Sequence, residues 1–147
     1  MLKNMLQAVI DTNILVRANI NQNGSDYLIY KAFLNNQFEL LYSDVLLKEL
    51  TRVLNYPRIF NKYQFEKQII EEFIDSIITF GKFVYAPKKV NLCRDRDDDE
   101  LLSIALAIYT RKPIYIVSGD QDLLILNRKI KGLIIMTANK FLQQIRS

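Results

Sequence analysis

Asp11 and Asp120 share a setting that suits them to chemistry: each stands just past a short apolar run, Gln7-Ala8-Val9-Ile10 and Pro113-Ile114-Tyr115-Ile116-Val117. Asp122 follows two residues later, and Asp95-Arg96-Asp97-Asp98-Asp99-Glu100 is the densest acidic stretch of the chain. The chain has no histidine, which removes serine–histidine triads, histidine general bases and histidine metal ligands together. Carboxylates crowded at one place repel unless a cation or protons compensate. Hard oxygen ligands without histidine or thiolate select Mg2+ or Mn2+ over zinc or copper. Such ions bind phosphate oxygens and promote in-line attack of water on a phosphodiester.

Each acid also has an ordinary structural use. Asp11 can cap the helix that follows it, and Asp120 and Asp122 can cap a helix or shape a turn. The run 95–100 can be a solvated helix start, where acids favour the positive end of the helix dipole. Yet the residues after that run include Ser103, Ala105 and Ala107 among apolar neighbours, a composition that lets a helix pack close to a sheet and aim one acid of the run inward. Asp98 is the first choice, with Asp99 and Asp95 close behind. Over 44–54 the apolar face is Val45, Leu46, Leu50, Val53 and Leu54, and Glu49 falls within or beside it. A glutamate there needs a partner or a cation, or must snorkel to water.

The elements that must position these acids are legible from periodicity. Besides the two runs above, 38–42, 82–85 and 133–136 read as strands, and 25–35, 44–54, 64–80, 98–111 and 138–146 as helices. The clearest helical stripe is Phe65, Ile69, Phe73, Ile77 and Phe80. Tyr56-Pro57-Arg58 reads as a turn between helices. Strands that are apolar throughout, alternating with helices, predict an α/β domain around a parallel sheet. Sites in such sheets lie beyond the carboxyl ends of the strands, where Asp11 and Asp120 fall.

A length of 147 residues suits one domain with a core of its own. Cys93 is the only cysteine, so no internal disulfide forms. The start, Met1-Leu2-Lys3-Asn4, lacks the apolar stretch of a signal peptide, and no run approaches the roughly 20 residues that span a bilayer. The expectation is a cytoplasmic protein with no membrane partner. Twenty Lys and Arg against sixteen Asp and Glu give +4, compatible with a polyanionic partner.

Taken together, Ile10-Asp11-Thr12-Asn13-Ile14-Leu15, Ser43-Asp44 followed by Glu49-Leu50, the run Asp95 to Asp99 with Leu102 and Ala105, and Val117-Ser118-Gly119-Asp120-Gln121-Asp122-Leu123-Leu124 resemble a PIN domain. The subgroup most similar is that of the toxin components of toxin–antitoxin pairs, whose closing strand and short helix with Phe-Leu match Ile134-Ile135-Met136 and Phe141-Leu142. The resemblance implies a Rossmann-like three-layer α/β/α sandwich with a central, mainly parallel five-stranded sheet, a single PIN-like nuclease domain over 1–147. It implies a Mg2+- or Mn2+-dependent endoribonuclease acting on RNA, single-stranded by expectation, with an antitoxin as partner and a homodimeric state. It carries the catalytic roles onto Asp11, Glu49, Asp98 and Asp120, with Asp11, Asp98 and Asp120 holding metal. Asn13, Ser43 and Ser118 match the small polar residues around the acids, and Asp122 and Asp99 are further supporting acids. Two departures stand out: Ser118 where the family often has threonine, and Arg96 where the subgroup commonly has proline.

Two other readings compete. One is a catalytically weak PIN module that acts by binding RNA or a partner protein; the intact acid set argues against it. The other is a phosphoryl-transfer domain of the receiver or haloacid-dehalogenase type. Those need a late lysine at a strand end or an Asp two residues after the first, whereas position 13 is Asn and no lysine follows the fourth strand. Arg17, Lys48, Arg52, Arg94 and Arg96 lie near the acids in sequence and could hold a phosphate backbone, and Tyr27, Tyr42, Tyr56 and Tyr115 could stack bases.

Overall fold

The computed structural model describes residues 5–108 and 112–146. In chain order the elements are β1 (Gln7–Ile10), α1 (Thr12–Ala18), α2 (Ser25–Leu34), β2 (Glu39–Tyr42), α3 (Asp44–Leu54), α4 (Pro57–Lys62), α5 (Lys67–Phe80), β3 (Lys82–Phe83), α6 (Arg96–Ala107), β4 (Ile114–Val117), α7 (Gln121–Leu124), β5 (Leu133–Met136) and α8 (Ala138–Arg146). The five strands form one sheet in the order β3-β2-β1-β4-β5. Every pairing is parallel, with Val9 opposite Leu41 on one side and Ile116 on the other.

Consecutive residues of the central strands are buried: Ala8, Val9 and Ile10 in β1, and all four residues of β4. Neighbouring residues of a strand face opposite sides of the sheet. Both faces must therefore be covered, and the protein is a Rossmann-like three-layer α/β/α sandwich. The chain leaves β1 towards β2 on one side, while β4 lies on the other. The β1–β4 boundary is thus the switch point where such sheets open a crevice beyond their strand ends.

The strands match the apolar runs closely, except that β3 stops at Phe83 instead of Tyr85. Three helices escaped the periodicity: α1, α4 and α7 span 7, 6 and 4 residues, too short for a stripe to repeat. Tyr56-Pro57-Arg58 is a helix start, with Pro57 in the first turn, where its missing N–H costs nothing. The end of the expected helix 98–111 falls partly at 109–111, outside the described residues, and α6 begins two residues earlier than expected. On α5 the buried face is Ile70, Phe73 and Ile77, while Ile69 and Phe80 are 54% and 62% exposed. Phe73 and Ile77 of the expected stripe thus face the core while Ile69 and Phe80 do not, because the helix is apolar on more than one side. Gly81 caps the end of α5, and only glycine fits there, since a Cβ would lie 2.5 Å from the Ile77 carbonyl oxygen.

No helix among the described residues is long and apolar enough to cross a membrane.

Candidate active site

The end of β1 is tied to the end of β4 by its first acid. The Asp11 amide donates to the Val117 carbonyl at 2.9 Å, so Asp11 leaves β1 still joined to β4. Its side chain caps α1, accepting from the Asn13 amide at 3.0 Å, and its other oxygen accepts from the Ser118 hydroxyl at 2.6 Å. The same Ser118 oxygen accepts from the Asp120 amide at 3.0 Å, and Ser118 is fully buried. Asp120 in turn caps α7 through the Asp122 amide. The structural uses read from the sequence are therefore real, and they fix the carboxylates in place.

Asp98 enters from α6, which packs on β1, β2 and β4. It lies two turns before Ala105 on the inner face, and both are buried. One oxygen of each of Asp98, Asp120 and Asp122 falls within 4.8 Å of the others. The Asp98 Oδ2 atom is buried with no hydrogen-bond partner. Burial, then the charges of Asp120, Asp95, Asp11 and Asp122, push its carboxyl up to about 7. An orphaned buried oxygen is costly unless something meets it. Three carboxylates with oxygens this close fit a divalent cation, and Asp98, Asp120 and Asp122 are the residues that could hold one.

The other expected residues sit as follows. Asp11 adjoins the three through Ser118, with each of its oxygens already accepting one hydrogen bond. Glu49 is outside the three: it pairs with Arg52 at 2.7 Å, one turn along α3. Its charge is felt at Asp97, whose carboxyl is raised chiefly by burial and then by Glu49. Asn13 is exposed and contributes its amide to the Asp11 cap. Ser43 caps α3 through the Leu46 amide and donates to Glu100 at 2.7 Å. Asp99 faces the chain before α6, accepting from the amides of Leu92 and Cys93 at 3.0 and 2.8 Å. Asp95 caps α6.

Glu100, buried between Ser43 and Lys89, was missed. The signal was available: Glu100 precedes Ser103 and Ile104 by three and four residues, so it shares their inward face. Four of the five basic residues named from the sequence are paired: Arg17 with Asp26, Lys48 with Asp44, Arg52 with Glu49 and Arg94 with Asp122. Tyr42 and Tyr115 are core residues, whereas Tyr56 is 49% exposed beneath the Arg52 guanidinium.

Comparison with known proteins gives likenesses of three kinds. A family model described as PIN domain matches residues 7–122, the span from β1 to Asp122. An uncharacterized protein, MJ1680 of Methanocaldococcus jannaschii, is 30% identical over 128 residues, covering 87% of this chain and 79% of that protein. A chain in the crystal structure of VapBC2 from Rickettsia felis, bound to a DNA fragment from their promoter, shares the fold with a TM-score of 0.54 at 18% identity. That match covers 90% of this chain and 98% of the other.

Proposed function

The chain belongs to the PIN domain family, and from that premise we propose that it is a Mg2+- or Mn2+-dependent endoribonuclease built as one nuclease domain over 1–147. The observation that carries the reading is the trio of Asp98, Asp120 and Asp122, one oxygen of each within 4.8 Å of the others, with Asp98 Oδ2 buried and unpartnered. Asp98, Asp120 and Asp122 would hold the ion, with Asp11 beside them. The chemistry supplied there by a bound Mg2+ or Mn2+ is Lewis-acid charge, which favours attack of water on a phosphodiester and offsets the charge of the leaving oxygen. The residues of the chain do the positioning. Ser118 holds Asp11 and the Asp120 turn in one register, and the positive end of α6 lies beside the acids. Glu49, Asp11, Asp98 and Asp120 are the proposed catalytic acids. Tyr56 with Arg52 offers an exposed ring and a cation on the Glu49 side, suited to a single-stranded RNA substrate.

The subgroup resemblance of the sequence and the shared fold with a VapBC2 chain support a role as the toxin of a toxin–antitoxin pair, with a small antitoxin protein as partner and a homodimeric, cytoplasmic state. Purified protein should cleave single-stranded RNA in Mn2+ and stop in EDTA. An Asp98→Asn variant should lose the activity. Cleavage that survives both treatments would sink the proposal; RNA affinity without cleavage in Mn2+ would favour a binding module instead.

A further inference from the structure

The segment between β3 and α6 ends in a charged contact with the acid cluster. One nitrogen of Arg94, Nη2, donates to both carboxylate oxygens of Asp122 at 3.1 Å. Asp120 also acts on the Arg94 charge. The Arg94 side chain is 89% exposed, so water competes freely for this pair, and it lacks the two-nitrogen fork of a strong arginine–carboxylate contact. Its backbone is not free to wander. Lys89 pairs with Glu100, the Val90 amide donates to Ser103, and the Leu92 and Cys93 amides donate to Asp99. All three acceptors are buried on α6. Arg94 therefore follows directly on a stapled segment, and the tether delivers its guanidinium to the acids.

We infer that Arg94 is a tethered counter-cation of the carboxylate trio, competing with a divalent ion for Asp122; this rests on the metal-site reading above. A guanidinium on Asp122 occupies oxygens that an ion would need and adds positive charge beside Asp120. An incoming ion must displace it. Because the pair is weak and exposed, displacement is easy, and the tether keeps the guanidinium at hand when the ion leaves.

The test is calorimetric titration with Mn2+ alone, near pH 8, on the full chain and four variants. Arg94→Gln should bind Mn2+ about 1.5- to 5-fold more tightly than wild type, the range for losing an exposed charge pair. In an Asp122→Asn background, adding Arg94→Gln should raise the affinity by less than it does in wild type, leaving only the charge beside Asp120. Arg96→Gln, an equal loss of charge on the neighbouring exposed residue, should shift the affinity less. Equal or weaker binding by Arg94→Gln overturns the inference, because Arg94 would then hold Asp122 ready for the ion. An equal gain from Arg96→Gln overturns it as well, reducing the effect to net charge. Wild type that binds no Mn2+ in the millimolar range overturns the metal-site reading along with it; wild-type binding with no response to Arg94→Gln overturns this inference alone.

Discussion

Asp98 is the residue whose protonation couples the fold to the chemistry. Its carboxyl is raised to about 7, against an ordinary value near 4 in an unfolded chain. Between those values the folded protein holds a proton that the unfolded chain has released. Stability therefore falls as pH rises through the window. In EDTA, the melting temperature of wild type should decline relative to Asp98→Asn between about pH 4 and pH 8. The neutral variant should end above wild type by on the order of 5 °C. A wild type that tracks the variant across the window would show that Asp98 is not buried among charges as described. The same proton opposes metal, so Mn2+ affinity should climb up to about pH 7 and then level. The geometry also ranks the acids: Asp98→Asn or Asp120→Asn should weaken Mn2+ binding by at least about tenfold, and Glu49→Gln by less than about threefold. Equal losses at all three would place Glu49 among the ligands. What the sequence offered at this scale was residue type and place. Asp11 and Asp120 were visible because they end strands; the small residues of the following helix pointed to one inward acid of the run, and the family resemblance singled out Asp98 from Asp99 and Asp95. The pairing of Asp122 with Asp98 and Asp120 was not visible, since it depends on how the four-residue α7 turns back after β4.

α6 carries two different jobs on adjacent residues, which a pattern of acids alone cannot separate. Asp98 points at the strand ends, while Asp99, Glu100 and Ser103 hold the incoming segment. Asp99→Ala should leave two backbone amides without their acceptor and cost about 1–3 kcal/mol. Amide hydrogen exchange at Leu92 and Cys93 should speed up, while Mn2+ affinity stays within a few-fold of wild type. A loss of Mn2+ binding as large as that of Asp98→Asn would instead make Asp99 a ligand. Elements with a long run or a long stripe were readable from sequence, as β1, β4 and α3 show. α5 was read only in part because it is apolar on exposed sides too: Ile69, Ile78 and Phe80 are all about half exposed or more, so spacing alone found Phe73 and Ile77 but took Ile69 and Phe80 for core residues. The short helices α1 and α7 were read only through their caps, Asp11 and Asp120, and there the cap and the candidate site are the same residue.

At the scale of the whole molecule, the site depends on elements that contribute no acid to it. β4 ends at Val117, just before Ser118, and leads to Asp120; its outer neighbour is β5, paired along the strand from Ile114–Leu133 to Val117–Met136. The match to the PIN domain model stops at Asp122, before β5 and α8. Yet α8 supplies Phe141, which is fully buried, edge-on to Phe38 at 5.0 Å and against Tyr115 of β4 at 5.8 Å between ring centres. Phe38 begins the run that becomes β2, so one ring joins the chain beside β2 to β4 across the sheet. Removing it opens a cavity that neither strand can close without moving. Phe141→Ala should therefore cost about 3–5 kcal/mol, a large part of the roughly 5–15 kcal/mol that holds a typical domain folded. A chain ending at Asp122 loses Phe141, Leu142 and the whole of β5, exposing an edge of β4 whose residues are all buried in the full protein. Its circular dichroism should show no cooperative melt, and it should bind no Mn2+ even though every candidate acid is present. A cooperative melt for that fragment would mean that the strand ends hold their geometry without β5 and α8. The carboxylates would then be organised locally by Ser118 and the two caps rather than by the sheet.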